Sequence, residues 1–262
     1  MDRIVRLFEE KKEQNEGVLI PFITAGDPNF EKTIEIGNLL FDAGADILEL
    51  GIPFSDPIAD GPTIQASSQR ALENGITPIK VMAIARKLSH RGPLVFMTYY
   101  NIPLQYGIER FVVDAKNNGV AGLIIPDLPL EEAQPVMEIC KRNKLAFILF
   151  VTPTTDEARI SQILKKSTGY VYLVSNLAVT GEQKSVANLT KQLVANIQKT
   201  ARSFNMPISV GFGISSEKHV REIIDAGADG VIIGSAIINK INNDSLKHLS
   251  EFVSLMKENT KK

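Results

Sequence analysis

Glu49, Asp56 and Asp60 lie close together in the stretch LELGIPFSDPIADGPTIQ (Leu48–Gln65), interleaved with Pro53, Pro57 and Pro62. Glu49 interrupts ADILELG, which otherwise reads as a buried strand, and an acid placed there is costly unless it is paired or used. Two readings stand side by side. Glu49 is either an acid buried against an arginine or lysine, or an acid whose environment has been prepared for proton transfer. Asp60 likewise either caps a helix starting near Pro62, as an acceptor ahead of a proline would, or works with Glu49. Two carboxylates on one strand–loop unit fit paired acid/base chemistry.

A second group of residues lies late in the chain. VGFGIS (Val210–Ser215) and IIGSAI (Ile232–Ile237) each end an apolar run in glycine just before a helix. Backbone N–H groups near Gly213, Gly234 and Ser235 would then face an anion at helix N-termini, and Gly181 in VTGEQ would complete the cup. Each glycine alone could equally be a turn residue. His90, His219 and His248 fall on helices or helix edges, so no metal cluster is expected. No lysine lies in a strand core, which disfavours a Schiff base; Lys184 lies in a loop, and Cys140 reads as helix packing. What remains is two carboxylates, the Tyr99 and Tyr172 hydroxyls, backbone amides and apolar walls. That set suits proton movement on a phosphorylated, largely apolar substrate.

The elements that must position these residues alternate regularly. Strands are predicted at Val18–Thr24, Asp46–Gly51, Leu94–Thr98, Gly122–Pro126, Ala146–Val151, Tyr170–Ser175, Ile208–Gly211 and Gly230–Gly234. Most are continuous apolar runs, the pattern of parallel strands covered on both faces. Helices are predicted between them at Phe30–Asp42, Ile108–Asn117, Leu130–Asn143, Asp156–Lys166, Val186–Arg202 and Ser216–Asp225. Eight such units predict an α/β fold, a single-domain (β/α)₈ TIM barrel over residues 1–262, with a doubly wound sheet as the alternative. An echo supports repetition: DAGADILELG, NNGVAGLIIPD and DAGADGVIIGS each place a glycine between helix end and strand, where a left-handed cap fits. MDRIVRLFEEKKEQ predicts an extra amphipathic N-terminal helix, and residues from about 257 to 262 predict a polar, frayed tail.

Composition sets the outer limits. The 262 residues are 44% hydrophobic and 23% charged, with a formal net charge of −1, so neither nucleic acid nor an anionic membrane is an expected partner. No apolar run reaches the ~20 residues that span a bilayer, and a cytoplasmic location is the default. In the barrel reading, Glu49 sits near the end of the second strand and Asp60 in the loop beyond it, on the face where such barrels build active sites.

These residues also carry a family resemblance. LELGIPFSDPIADGPTIQ resembles the signature of the tryptophan synthase alpha chain, together with PFITAGDP, YYN (Tyr99–Asn101), IIPDLPLEE, VTG, GFGIS and GSAI, in order along essentially the whole chain. The resemblance implies a (β/α)₈ barrel lyase that cleaves indole-3-glycerol phosphate to indole and glyceraldehyde 3-phosphate in tryptophan biosynthesis. It implies Glu49 as the acid/base and Asp60 as the carboxylate on the indole N–H. Gly181, Gly213, Gly234 and Ser235 would hold phosphate. Phe22, Ile64, Tyr99, Ile124, Tyr172 and Phe212 would wall the substrate, though each also fits plain barrel core, and Thr180 would contact Asp60 across a closed loop. The partner implied is a beta chain in an alpha2beta2 assembly. That beta chain carries pyridoxal phosphate, and this chain carries no cofactor or metal.

One departure stands out: Asn176 and Ala178 occupy positions where the family commonly has arginine and glycine, which bears on loop closure and signalling. Pro53 and Asp56, in the rigid loop PFSDP, are expected to face the beta chain, unless Asp56 only caps a local turn. A catalytically weak regulatory subunit of the same complex, or a stand-alone lyase, remain the alternatives.

Overall fold

The computed structural model describes residues 3–174, 183–211 and 213–262, with side chains described throughout except in 183–190. Thr180, Gly181, Phe212, Asn176 and Ala178 therefore lie outside the described residues. The elements run α1 (Arg3–Glu13), β1 (Val18–Thr24), α2 (Phe30–Asp42), β2 (Leu48–Gly51), α3 (Pro62–Glu73), α4 (Pro78–Leu88), β3 (Leu94–Met97), α5 (Asn101–Tyr106), α6 (Ile108–Asn117), β4 (Val120–Ile124), α7 (Gln134–Arg142), β5 (Ala146–Val151), α8 (Glu157–Lys166), β6 (Val171–Val174), α9 (Gln183–Ser203), β7 (Ile208–Gly211), α10 (Glu217–Asp225), β8 (Gly230–Ile233), α11 (Ser235–Asn243) and α12 (Leu246–Glu258). The strands are parallel and close in sequence order, β1 pairing with both β2 and β8. The expected barrel is present and the doubly wound alternative is excluded.

The local signals behave as their chemistry requires. Asn29, Thr77, Asp156, Ser216 and Ser245 each accept from the N–H three residues on, capping α2, α4, α8, α10 and α12. The three echoed glycines, Gly44, Gly119 and Gly227, all have positive φ, the left-handed turn that returns each helix to the sheet.

Boundaries moved where backbone groups are otherwise used. β2 starts at Leu48 rather than Asp46, because the Asp46 carboxylate accepts from Leu19 N–H and pairs with Lys257. β4 runs two residues earlier than expected at both ends, beside a register shift opposite Leu94/Val95. α7 starts at Gln134, not Leu130, because Glu132 and Ala133 first turn back onto the Pro129 carbonyl.

Period-two alternation separates two apolar layers. Leu48 and Leu50 face the helices, whereas Phe22, Ile47, Val95, Met97, Ile124 and Tyr172 fill the barrel. The predicted N-terminal helix closes the bottom of that interior. Its Ile4 and Phe8 are buried, Phe8 tilts against Tyr170 with centroids 5.7 Å apart, and the absent side chain of Gly122 leaves room for Ile4.

The tail is polar but not frayed, which corrects the expectation for residues 257–262. Thr260 is fully buried, its carbonyl accepts from Gly17 N–H, and Lys261 bridges to Glu16. Lys257 reaches Asp46 at 2.8 Å and Glu16 at 3.2 Å, and Lys11 reaches the same two acids. This half-buried network ties the end of α12 to the bottom of the barrel.

Removing the plug tests its role. Phe8→Ala is expected to lower the free energy of unfolding by about 3 kcal/mol, read by urea denaturation. A loss below about 1 kcal/mol would mean that α1 is a surface addition.

Candidate active site

Glu49 shares the inward face of β2 with Ile47, in register between Phe22 on β1 and Val95 on β3. It is 1% exposed, its Oε2 makes no hydrogen bond, and among the described residues no cation pairs with it. The reading of Glu49 as one half of a structural ion pair is thereby removed. Burial, and then the neighbouring negative charge of Asp60, push its carboxyl up to about 8 from 4.5. The group is a neutral acid at neutral pH.

Two glycines make the space around it. A side chain at Gly51 would collide with the Phe22 ring, and one at Gly211 would collide with the Tyr172 ring. The Phe22 and Tyr172 rings therefore occupy the space that side chains at these two positions would fill. Tyr172 is buried, packs against Phe150 at 4.8 Å between centroids, and is close enough to feel both Glu49 and Asp60. Ile124 is fully buried and Ile64 packs on the same inner cluster, so these predicted wall residues do converge.

Asp60 lies in the loop between β2 and α3, half-buried. Burial raises its pKa, opposed by a hydrogen bond from the Tyr99 hydroxyl. That hydroxyl also accepts from Ala59 N–H at 3.0 Å, and the Tyr99 ring stacks on Phe54 at 5.3 Å, so Tyr99 fixes the loop as well as lining the site. Asp60 does not cap α3: the cap position is Gly61, with no side-chain hydrogen bond. The carboxylate is left for other use.

The adjoining wall is α11, packed against β1 and α3. Gly234 is its cap residue and, unlike the five capped helices, α11 has no side-chain cap. Ser235 is exposed at the first helical position. A Cβ at Gly234 would meet only ordinary contacts with Phe22 and Ile64 at 3.6–3.7 Å, so packing does not demand glycine there, whereas close approach of a ligand would. Gly213 has φ 75° and is exposed after β7. The loop of Pro53 and Asp56 divides: Asp56 is exposed and accepts from Ser55 at 2.5 Å. Pro53, three residues earlier, is buried.

Three residues escaped sequence reasoning. Tyr170 faces inward two positions before Tyr172, with its hydroxyl buried, unpaired and near Glu49; strand parity was the available signal. Asp27 and Arg70 form the tether of α3. Arg70 grips Asp27 in a fork of 2.8 and 2.6 Å while Ser67 donates to the same carboxylate. Asp27 stood in the quoted motif PFITAGDP, but nothing in sequence pointed to Arg70.

The fold and site together define a (β/α)₈ barrel with a buried acid raised toward neutrality in its mouth, a second acid in the loop beyond it and an open helix N-terminus beside them. Residues 8–262 match the family model for the tryptophan synthase alpha chain. The alpha chain of Methanosarcina mazei is 48% identical over 239 residues, covering 91% of this chain and 86% of that one. That of a Picosynechococcus species is 42% identical over 264 residues, covering 98% and 99%. Among solved structures, tryptophan synthase subunit alpha from Legionella pneumophila superposes with a TM-score of 0.90 at 34% identity, covering 99% and 98% of the two chains. The chain belongs to the tryptophan synthase alpha chain family, whose alpha subunit cleaves indole-3-glycerol phosphate.

The buried acid has a consequence for stability. Folded, Glu49 keeps its proton up to about pH 8; unfolded, it releases it near 4.5. Between these values the folded state holds the extra proton, so stability falls as pH rises, by up to ~1.4 kcal/mol per unit. Glu49→Gln removes this dependence. The variant should match wild type near pH 4 and become more stable by on the order of 4 kcal/mol at pH 8, read by denaturant unfolding. A difference independent of pH would show that Glu49 is not held neutral.

Proposed function

We propose that this chain is a carbon–carbon lyase that splits indole-3-glycerol phosphate into indole and glyceraldehyde 3-phosphate, with Glu49 and Asp60 as its working acids. The observation that carries the assignment is the state of Glu49: buried, unpaired at Oε2 and neutral. A neutral acid can begin the reaction as a donor. Glu49 gives its proton to indole C3, and the ring nitrogen becomes positively charged. Asp60 accepts the indole N–H hydrogen bond and stabilises that charge, which exists only as the reaction proceeds.

Glu49, now a carboxylate in an apolar site, takes the proton from the glycerol hydroxyl beside the breaking bond. The C–C electrons return to the ring, indole leaves, the hydroxyl carbon becomes the aldehyde, and Glu49 is neutral again. An acid poised near neutrality serves both directions better than an ordinary glutamate. The uncapped N–H groups of α11, with Ser235, Gly234 and Gly213, hold the phosphate. Gly181 would complete that cup, and Phe212 and Thr180 the closed site. Phe22, Ile64, Tyr99, Ile124 and Tyr172 enclose the indole.

The partner in this reading is a beta chain, joined in an alpha2beta2 complex and carrying the pyridoxal phosphate that this chain does not need. The exposed Asp56 and Ile58, the latter 80% exposed, present the loop surface for it.

Glu49→Gln tests the assignment. It keeps size and hydrogen-bonding capacity but cannot exchange a proton, so turnover should fall by ~10²–10⁴ with substrate binding retained. A variant keeping more than half of the wild-type rate would make Glu49 structural and sink the mechanism.

A further inference from the structure

Opposite the catalytic mouth, a hollow of about 790 Å³ opens at the N-terminal ends of β4 and β5. Six cations line it: Arg3 from α1, Lys116 from α6, Lys141 and Lys144 at the end of α7, and Lys165 and Lys166 from α8. Among the described residues a single acid, Glu138, shares the lining, and it already accepts from Gln134. The chain as a whole carries a net charge of −1, so this concentration of positive charge is local. Among the described residues none of the six makes an ion pair. The ammonium of Lys116 donates to the Lys144 carbonyl and the Arg3 guanidinium to the Ser89 carbonyl, contacts that leave both charges uncompensated.

Helix electrostatics explains part of this. Lys116, Lys141, Lys165 and Lys166 lie in the last turns of their helices, where a cation complements the helix dipole. That accounts for each lysine singly. It does not account for three such helix ends meeting around one concavity and being joined there by Arg3 and Lys144. Its apolar floor is formed by Ala121, Leu145 and Phe147, which are buried in the barrel wall, with Met137 beside them. A drug-sized hollow that is concave and rimmed by six cations from four helices and a following turn fits a compact polyanion.

We infer that this hollow is a second anion site, taking a ligand with at least two linked phosphoryl groups. A single phosphate would meet cations from only part of the rim, whereas a phosphate chain can reach lysines from α6, α7 and α8 together. The shared chemistry is the oligophosphate; an inorganic chain and a nucleoside polyphosphate are its two sources.

The test is titration of the full chain with tripolyphosphate and, separately, with ATP by calorimetry at low salt. Wild type is compared with Lys141→Glu/Lys166→Glu, with the milder Lys141→Gln/Lys166→Gln, and with Gly234→Val at the catalytic mouth. Saturable binding is expected in wild type and in Gly234→Val alike. It should weaken at least ~tenfold in the Glu pair, to a lesser degree in the Gln pair, and steeply with added salt. Cleavage of indole-3-glycerol phosphate without added oligophosphate should be unchanged in both lysine pairs, which also reports that they fold. Equal affinity for ATP and tripolyphosphate would identify the phosphate chain as what is recognised, and tighter ATP binding the nucleotide. Loss of binding in Gly234→Val, equal binding in all variants, or no saturable binding below millimolar concentrations would each overturn the inference.

Discussion

The molecule is organised around one costly placement: a carboxyl group inside the barrel that, among the described residues, has no cation to pair with. A charge in that position would be opposed by several kcal/mol of lost hydration, so the chain resolves it by keeping the proton on Glu49. Everything near the mouth serves that state. Strand parity points Glu49 inward between Phe22 and Val95, and Gly51 and Gly211 give Phe22 and Tyr172 room to shield it from water. Asp60 places a negative charge close enough to help keep the proton in place. In the proposed reaction the same charge would stabilise the transient indole cation.

Holding Asp60 there falls to a second, better-paired acid. Asp27 is buried too, but it is gripped by Arg70 and Ser67, so it is a structural acid in the ordinary sense. Its fork locks α3 to the loop after β1, and α3 carries the Asp60 loop at its N-terminus and Ile64 in its first turn. The two buried acids lie on neighbouring units of the same barrel and differ only in their partners. Partnering decides their roles: the paired one fixes geometry, and the unpaired one is free to move a proton. The bottom of the barrel carries no such tension, because Asp46 and Glu16 are met there by Lys11 and Lys257.

Much of this was legible in the sequence because it follows from periodicity. Continuous apolar runs gave eight parallel strands, three of them, β1, β5 and β7, to the residue. Glu49 stood out because an acid in a strand breaks that pattern, and Gly234 marked the start of α11, which has no side-chain cap. What was not legible depended on contacts between distant segments. The order of the tail after Lys257 comes from residues more than two hundred positions away, and Arg70 looked like any helix arginine until Asp27 was beside it. The burial of Pro53 was hidden for the same reason. The boundary errors at β4 and α7 arose where a register shift or a preceding turn, rather than side-chain pattern, ends the element.

The most direct measurement of the central claim is the protonation of Glu49 itself. Difference infrared spectroscopy of wild type against Glu49→Gln isolates the carbonyl stretch of the protonated carboxyl, which can be followed with pH. The account predicts a midpoint near 8, moving down in Asp60→Asn yet remaining above 4.5, because burial is the larger cause and the Asp60 charge the smaller. A wild-type midpoint near the ordinary glutamate value would contradict it, since Glu49 would then be ionised at neutral pH and could not start the reaction as an acid.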